Sequence, residues 1–528
     1  MATPSHERIQ NSQFCVIRPS TDEKNQMGVE TEVKFRVPRR NIAALAHLKI
    51  PGSRMAERSE SDLTSTYFDT RKRKLKRHGL VLRVRQTGGK YIQTIKKVSA
   101  GLDRGEWETE IKDGSPDLGE ADGTPLEEIA SKKLRRKLRP VFKTSVRRIT
   151  LPIRSKGSEI ELAVDRGEIT VRGRSSRIEE IELELKRGRP RDLFQLARAV
   201  ERKLDAELYL RGKAERGYDL VDSTDQGPVF AGPIELNEQM SAIEGFKAIA
   251  HAALRHFSGN IDAVRNFDPE GVHQMRVGLR RLRAAISLFS KVLTGTKTGQ
   301  IKAELKWLTN QLAPAREIDV FLHEKVEPVA PKINPRRGAK AIEREFADRR
   351  HQALERATSA VNSGRCRAML VELLEWIEAQ DDGGDEAKLE ISKFATDLLN
   401  RRVKKVRKDG RILQDMSPMD RHKLRIRVKK IRYAMEFFES LFPGKRERKQ
   451  LVRLSRHLKK IQGALGSLND FIADSKMAAD AALHAPPQNR RARAFASGFI
   501  VGHEAEQTKP LMKAASKEVR ALRACALG

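Results

Sequence analysis

Apolar and polar positions alternate with a period of two from about residue 27 to 222, then recur every 3.6 residues almost everywhere beyond 239. The first regime predicts strands over 29–37, 63–69, 79–86, 90–97, 105–112, 142–153, 158–165, 168–173 and 178–187, separated by Gly, Asp and Ser turns. Helical stretches interrupt them at 39–48, 125–138 and 190–205, the last opened by Pro190 and Asp192. The second regime predicts long amphipathic helices packed as a bundle. Residues 1–26 are polar and aperiodic and read as a flexible tail, and 223–238 read as a linker. The expected fold class is multidomain α+β, with antiparallel strands over 27–222 and an all-α bundle with an internal repeat over 239–520.

The repeat aligns His273-Gln-Met-Arg276-Val-Gly-Leu-Arg280-Arg281-Leu-Arg283 without gaps to His422-Lys-Leu-Arg425-Ile-Arg-Val-Lys429-Lys430-Ile-Arg432. Downstream, Leu305…Leu308…Leu312…Arg316 resembles Leu458…Ile461…Leu465…Asn469, which predicts paired helical subdomains.

Charge narrows the classes of partner. The 528 residues carry a formal net charge of +33, which points to a polyanion: nucleic acid, an acidic surface or polyphosphate. Aromatic residues make up only 5%, too few for the stacking platforms of single-strand binding. Cys15, Cys366 and Cys525 are far apart and form neither a disulfide framework nor a zinc site, which suggests a reducing compartment. No apolar run approaches the roughly 20 residues of a membrane span, so no membrane partner and a cytoplasmic location are expected.

Candidate chemistry lies on the strand faces. In an extended segment Glu30, Glu32 and Lys34 share one face, and Thr31, Val33 and Phe35 the other. Arg83 with Arg85, Glu106 with Glu108, Glu159 with Glu161, Lys143 with Arg147, and Glu182 with Glu184 repeat this spacing. Any one such strand is most simply the wet side of an antiparallel sheet. Together, however, the pairs segregate by sign. Closing the sheet would gather acids and bases into one lumen, where a metal ion and a highly charged anion would relieve both sets of repulsions.

These segments, with Tyr67-Phe-Asp-Thr70, Thr94-Ile-Lys96, Arg104-Gly-Glu106-Trp-Glu108, Asp165-Arg-Gly167 and Gly212-Lys213-Ala-Glu-Arg-Gly217, occur in one order. In that order they resemble the CYTH superfamily, the triphosphate tunnel metalloenzymes. The resemblance implies an eight-stranded antiparallel β-barrel whose lumen binds a triphosphate. It implies metal-binding acids at Glu30, Glu32, Asp165, Glu182 and Glu184, with Mg²⁺ or Mn²⁺ as the cofactor suited to oxygen ligands. It places phosphate-binding bases at Lys34, Arg83, Arg85, Lys96, Arg147 and Lys213. Glu108 and Glu161 are the candidates for accepting the water proton, with a structural salt bridge an equal reading of each. The activity it implies is hydrolysis of inorganic triphosphate. Alternatives are a nucleoside or thiamine triphosphate, adenylate cyclase chemistry, or a scaffold that binds polyphosphate without turnover.

In the helical half, His273, Arg276, Arg280 and Arg283 form one stripe, and His422, Arg425, Lys429 and Arg432 form its counterpart. Met275, Leu279, Leu282 and Ile286, and in the second copy Leu424, Val428, Ile431 and Met435, form apolar stripes beside them. A charge run is usually a solvated face, but these stripes lack the carboxylates that i,i+4 pairing would use, which favours a bound anion. The pattern resembles the CHAD domain, which implies binding of long-chain polyphosphate and association with polyphosphate granules. Nucleic acid is the competing partner, and metal ligation by His273 and His422 is disfavoured by their cationic neighbours.

Overall fold

The computed structural model describes residues 28–42, 53–55, 57–97, 103–155, 157–224, 227–334, 336–381 and 383–522. The expected tail over 1–26 and the end of the expected 39–48 helix lie outside the described residues. Strands are β1 (Gly28–Arg36), β2 (Ser53–Met55), β3 (Ser59–Asp69), β4 (Leu80–Thr87), β5 (Lys90–Lys97), β6 (Asp103–Ile111) and β7 (Arg139–Ser155). They continue with β8 (Ser158–Val171), β9 (Arg174–Arg187) and β10 (Glu207–Leu208). The two strands expected at 158–165 and 168–173 are one, because Asp165, Arg166 and Gly167 stay paired on both sides. Gly167 permits this close approach: a Cβ there would lie 1.9 Å from the Ser145 carbonyl oxygen.

Pairing is antiparallel and runs β1-β6-β5-β4-β3-β7-β8-β9, and β9 pairs back onto β1. This circuit has eight members, with β2 and β10 as short additions on β7 and β1. It is not sealed along its length. β1 meets β6 only over Gly28–Thr31, and farther along the same strand β10 takes over at Phe35 and Arg36.

Short helices α1 (Arg39–Ile42), α2 (Lys74–Arg77) and α3 (Lys132–Arg135) lie between strands, and α4 (Pro190–Leu204) and α5 (Lys213–Asp222) follow them. The expected helix over 125–138 is broken into a 3-10 turn at Glu127–Ile129 and α3. The helical half begins with α6 (Ala242–Ser258), α7 (Ile261–Arg265), α8 (Pro269–Leu288), α9 (Thr298–Phe321), α10 (Arg337–Asn362) and α11 (Gly364–Glu378). It continues with α12 (Asp385–Lys388), α13 (Ile391–Asp409), α14 (Pro418–Phe437), α15 (Lys445–Leu483) and α16 (Arg490–Ala521). No helix among the described residues is long and apolar enough to cross a membrane.

The outer faces of β1, β8 and β9 are not solvated. Val33, Phe35, Leu162, Ile181 and Leu183 pack with Leu193, Ala197 and Val200 of α4 in a core that continues into the helical half. Each of the Val, Leu, Ile and Phe side chains contributes about 1.5–3 kcal/mol when fully buried. Ion pairs brace the same seam: Arg36 of β1 donates to both oxygens of Asp262 on α7 at 2.8 Å. The charged faces of these strands therefore point inward, because the apolar faces are already committed.

The two copies of the helical repeat become α8 and α14, both 20 residues long and both opened by proline behind a side-chain cap, Asp268 or Ser417. Each packs on its following long helix, α9 or α15, and α8 packs on α14. The second basic residue of each tandem pair faces the partner copy. Arg281 pairs with Glu436 at 3.0 Å, and Lys430 donates to Ser287 at 2.8 Å. Arg281 aligns with Lys430 and Ser287 with Glu436 in the repeat, so these contacts are reciprocal, as a twofold relation requires.

Candidate active site

The charged inner faces enclose a cavity of about 570 Å³ lined by Glu32, Lys34, Arg83, Arg85, Lys96 and Lys213 among others. Strand register explains the grouping. Lys34 lies opposite Glu182, Glu32 opposite Glu184, and Glu184 opposite Glu161. Three carboxylates thus form one transverse row across β1, β9 and β8.

Next to this row is a compact charge network. Lys34 meets Glu32 at 3.1 Å and Glu182 at 3.0 Å. Lys213, at the start of α5, meets Glu182 at 2.7 Å, Asp165 at 2.8 Å and Glu180 at 3.0 Å. Burial alone would depress the Lys213 amine, but Glu180, Glu182 and Asp165 outweigh it and hold it well above its ordinary value. Burial likewise opposes ionisation of Glu182, and Lys213, Lys34 and Arg148 reverse that, keeping its carboxyl well below the ordinary range.

Arg147, expected on the phosphate, is not in the cavity. It is exposed and donates to Glu60 at 2.6 Å. Arg148 takes that place, gripping Asp165 through two bonds of 2.7 and 2.6 Å and reaching Glu182 at 2.5 Å. The cause is strand parity: in the first half of β7, Phe142, Thr144 and Val146 are the buried positions, and Arg148 shares their face. Asp165, expected among the metal acids, has its oxygens on Arg148 and Lys213.

The opposite wall comes from β4, β5 and β6. Arg83 contacts Glu106 at 3.1 Å and Glu108 at 3.4 Å, and Lys96 also bonds Glu106. Glu108 accepts from the Thr94 hydroxyl at 2.9 Å. Arg85 differs from these in closing no ion pair among the described residues; its Nε, like that of Arg83, is buried without a hydrogen-bond partner. Neighbouring Arg83, then burial, pull its guanidinium down to about 10.

Other motif residues position these groups. Asp69 accepts from the backbone of Thr70, Leu75 and Lys76 and from the Tyr218 hydroxyl, fixing the β3–α2 turn to α5. Gly217 lets α5 press on Phe142, whose ring a Cβ would approach to 2.2 Å. The available donors for a cation are all carboxylate oxygens, a set suited to a hard divalent ion. Among the described residues no three acidic, His or Cys side chains converge as a metal shell, and the Glu30 side chain lies outside the described residues. Glu184 is turned to Lys186 at 2.6 Å and Glu32 to Lys34.

On the helical half, Met275, Leu279, Leu282 and Ile286, and their counterparts Leu424, Val428, Ile431 and Met435, are buried. The basic stripes are half-buried, apart from exposed Arg283, and run together, with Arg280 acting on Lys429. Burial and the neighbouring Arg425 and Arg280 lower the Lys429 amine to about 8. Burial first, then Arg280 and Arg316, brings Arg276 down to about 10, against a counteracting Glu317. His422 contacts Asn469 at 2.6 Å, and Arg425 meets Asp470 at 3.2 Å, so residues of α15 flank the stripe.

Comparison with known families agrees with this division. The CYTH domain matches residues 28–218 and the CHAD domain residues 248–479, so the chain carries a CYTH domain followed by a CHAD domain. An inorganic triphosphatase of Haemophilus influenzae is 32% identical over 162 residues, 30% of this chain and 45% of that protein. The alignment therefore spans under half the length of that relative. An uncharacterized protein of Mycobacterium tuberculosis is 24% identical over 434 residues, 77% of this chain and 81% of its own length. The crystal structure of the CHAD domain from the plant Ricinus communis, 29% identical, covers 56% of this chain and 98% of its own, with a TM-score of 0.47.

Proposed function

We propose that the strand cavity hydrolyses inorganic triphosphate to orthophosphate and diphosphate with the help of a divalent cation. The observation that carries this reading is Arg85, a half-buried guanidinium whose Nε, like that of neighbouring Arg83, lacks a partner, on a wall facing Lys34, Arg148 and Lys213. Such a cation calls for an anion, and several of them call for a polyvalent one. The similarity to an inorganic triphosphatase supports the same class of substrate. The aromatic lining offers little to a nucleobase. Tyr67 is stacked on Phe142 with ring centroids 4.4 Å apart, the Tyr218 hydroxyl is held by Asp69, and Trp107 is buried in a separate cluster behind the wall.

Arg83, Arg85 and Lys96 would hold one end of the chain of phosphates, and Lys34, Arg148 and Lys213 the other. A divalent cation on Glu32 and Glu184, with Glu30, Glu182 and Glu161 adjoining, would neutralise phosphate charge. Water attacks the terminal phosphorus in line, and the bond to the bridging oxygen breaks. Diphosphate leaves with the electron pair, and the water proton passes to Glu108 or Glu161. Phosphate release from tripolyphosphate and ATP, each with Mg²⁺ or Mn²⁺, tests this. Turnover of tripolyphosphate without cyclic nucleotide is expected, and Glu30→Ala and Glu184→Ala should each abolish it. Full activity in both variants would remove the carboxylate assignment.

The merged basic stripe supports a second reading, that the helical half holds long-chain polyphosphate. A polyanion would raise the lowered Lys429 and Arg276 back toward their ordinary values. Polyphosphate should displace RNA from the full chain at much lower phosphate-equivalent concentration, and the reverse order would assign the surface to nucleic acid.

A further inference from the structure

We propose that the helical half completes the strand cavity through Arg255, a positioning residue on α6 that holds α5 and therefore Lys213; this rests on the reading of the cavity as a triphosphate site. Arg255 lines the cavity although it belongs to the helical half. It donates to the Leu210 carbonyl at 2.7 Å and to Glu215 at 2.7 Å. Leu210 precedes Lys213 and Glu215 follows it, so one guanidinium brackets the lysine from both sides.

The strand half secures α5 on its other faces. Gly217 presses on Phe142, Tyr218 reaches Asp69, and Arg216 bonds Glu180. At the first turn, where Lys213 enters the carboxylates, Arg255 supplies the clamp from outside, joined by Arg211 at 3.6 Å from Glu215. A clamp at this point matters because Lys213 contacts residues on both β8 and β9. A small rotation of α5 would break several short ion pairs at once.

Arg255 is itself fixed. The next residue, His256, is buried and meets Gln274 of α8 at 3.1 Å. Phe257 lies against Gly278, where a Cβ would come within 2.7 Å of it. α6 is therefore locked to the helix that carries His273, Arg276 and Arg280, and it presents Arg255 to the cavity from a rigid support.

The test compares Arg255→Ala, Arg255→Lys and the charge swap Arg255→Glu with Glu215→Arg in the full chain. In Arg255→Ala, amides of 213–222 should exchange with deuterium about tenfold faster while β8 and β9 keep their protection. With tripolyphosphate, kcat/KM should fall about tenfold, mainly through KM, with partial recovery in Arg255→Lys. Each single charge reversal should be worse than the swap. Unchanged α5 exchange, or faster exchange across the whole sheet, would overturn the inference. So would an unchanged kcat/KM in an active protein, or a swap no better than its single variants. A wild-type chain inactive on tripolyphosphate would remove the proposed reaction instead, and the exchange measurement would then decide the clamp alone.

Discussion

The strand cavity and the helical surface are both rich in cations, but they balance charge in opposite ways. In the cavity, Lys34, Lys96, Arg148 and Lys213 each meet carboxylates from neighbouring strands. On the helical surface cations face cations, and burial together with Arg425 and Arg280 lowers the Lys429 amine. A site with interleaved signs is preorganised, and an incoming anion must compete with its acids, a competition that a divalent cation on those acids would relieve. An unbalanced surface attracts polyanions at long range, with little demand on their length and a steep dependence on salt.

The largest expected effect is at Glu182, where Lys34, Arg148 and Lys213 meet. Glu182→Ala leaves three buried or half-buried cations short of a partner. It should cost about 3–5 kcal/mol of stability, the range for breaking a buried pair, as read by urea denaturation. Hydrolysis should vanish with it. An equally stable Glu182→Ala would mean that the cavity is no more balanced than the helical surface.

Arg85 sharpens the contrast from the other side. Its Nε has no partner to lose and Arg83 repels it, so Arg85→Ala should leave the urea midpoint unchanged or raised. It should still lower kcat/KM for tripolyphosphate by about 10²-fold, the scale of losing an oriented charge at a phosphoryl-transfer site. Arg83→Ala, which loses Glu106 and Glu108, should reduce both quantities.

Much of this was legible from spacing, and the exceptions have physical causes. Glu32, Lys34, Arg83, Arg85, Glu182 and Glu184 were placed on common faces by period two, and the structure brings them to one cavity. Arg147 was misplaced because Arg147 and Arg148 are adjacent and only their neighbours distinguish them. The useful signal was the apolar parity of Phe142 and Val146, which marks the inner face of β7 even though the inner faces of β1 and β9 are charged. Arg255 was not legible at all. It sits in an amphipathic helix 45 and 40 residues from its partners Leu210 and Glu215, and the packing of α6 against α5 gives it its role. The repeat predicted α8 and α14, but not that Arg281 and Lys430 would face the partner copy rather than the basic surface.

On the helical surface the corresponding substitution should leave the cavity alone. Arg276→Glu combined with Arg425→Glu places acids within the merged stripe, and should weaken polyphosphate binding by about 10–100-fold at low salt while reducing the salt slope. Hydrolysis of tripolyphosphate should stay within about twofold, since neither residue lines the cavity. A large loss of turnover in a folded double variant would show that the two regions act as one site.

The smallest effect is a pH dependence peculiar to the helical surface. The Lys429 amine, lowered to about 8 by burial and by Arg425 and Arg280, is charged below that value and neutral above it. A bound polyanion favours the charged form, so affinity should decline by about two- to threefold as pH rises from 7 to 9. Folding has the opposite sign. The unfolded amine titrates near its ordinary, higher value, so the folded state gains stability as pH rises from about 8 toward that value. Isothermal titration of polyphosphate at several pH values, with Lys429→Arg as the comparison, measures the binding side. A flat profile for Lys429→Arg against a falling one for the wild type would tie the effect to this amine. Parallel profiles would assign the pH dependence to other groups, leaving the unbalanced surface to be judged by its salt slope.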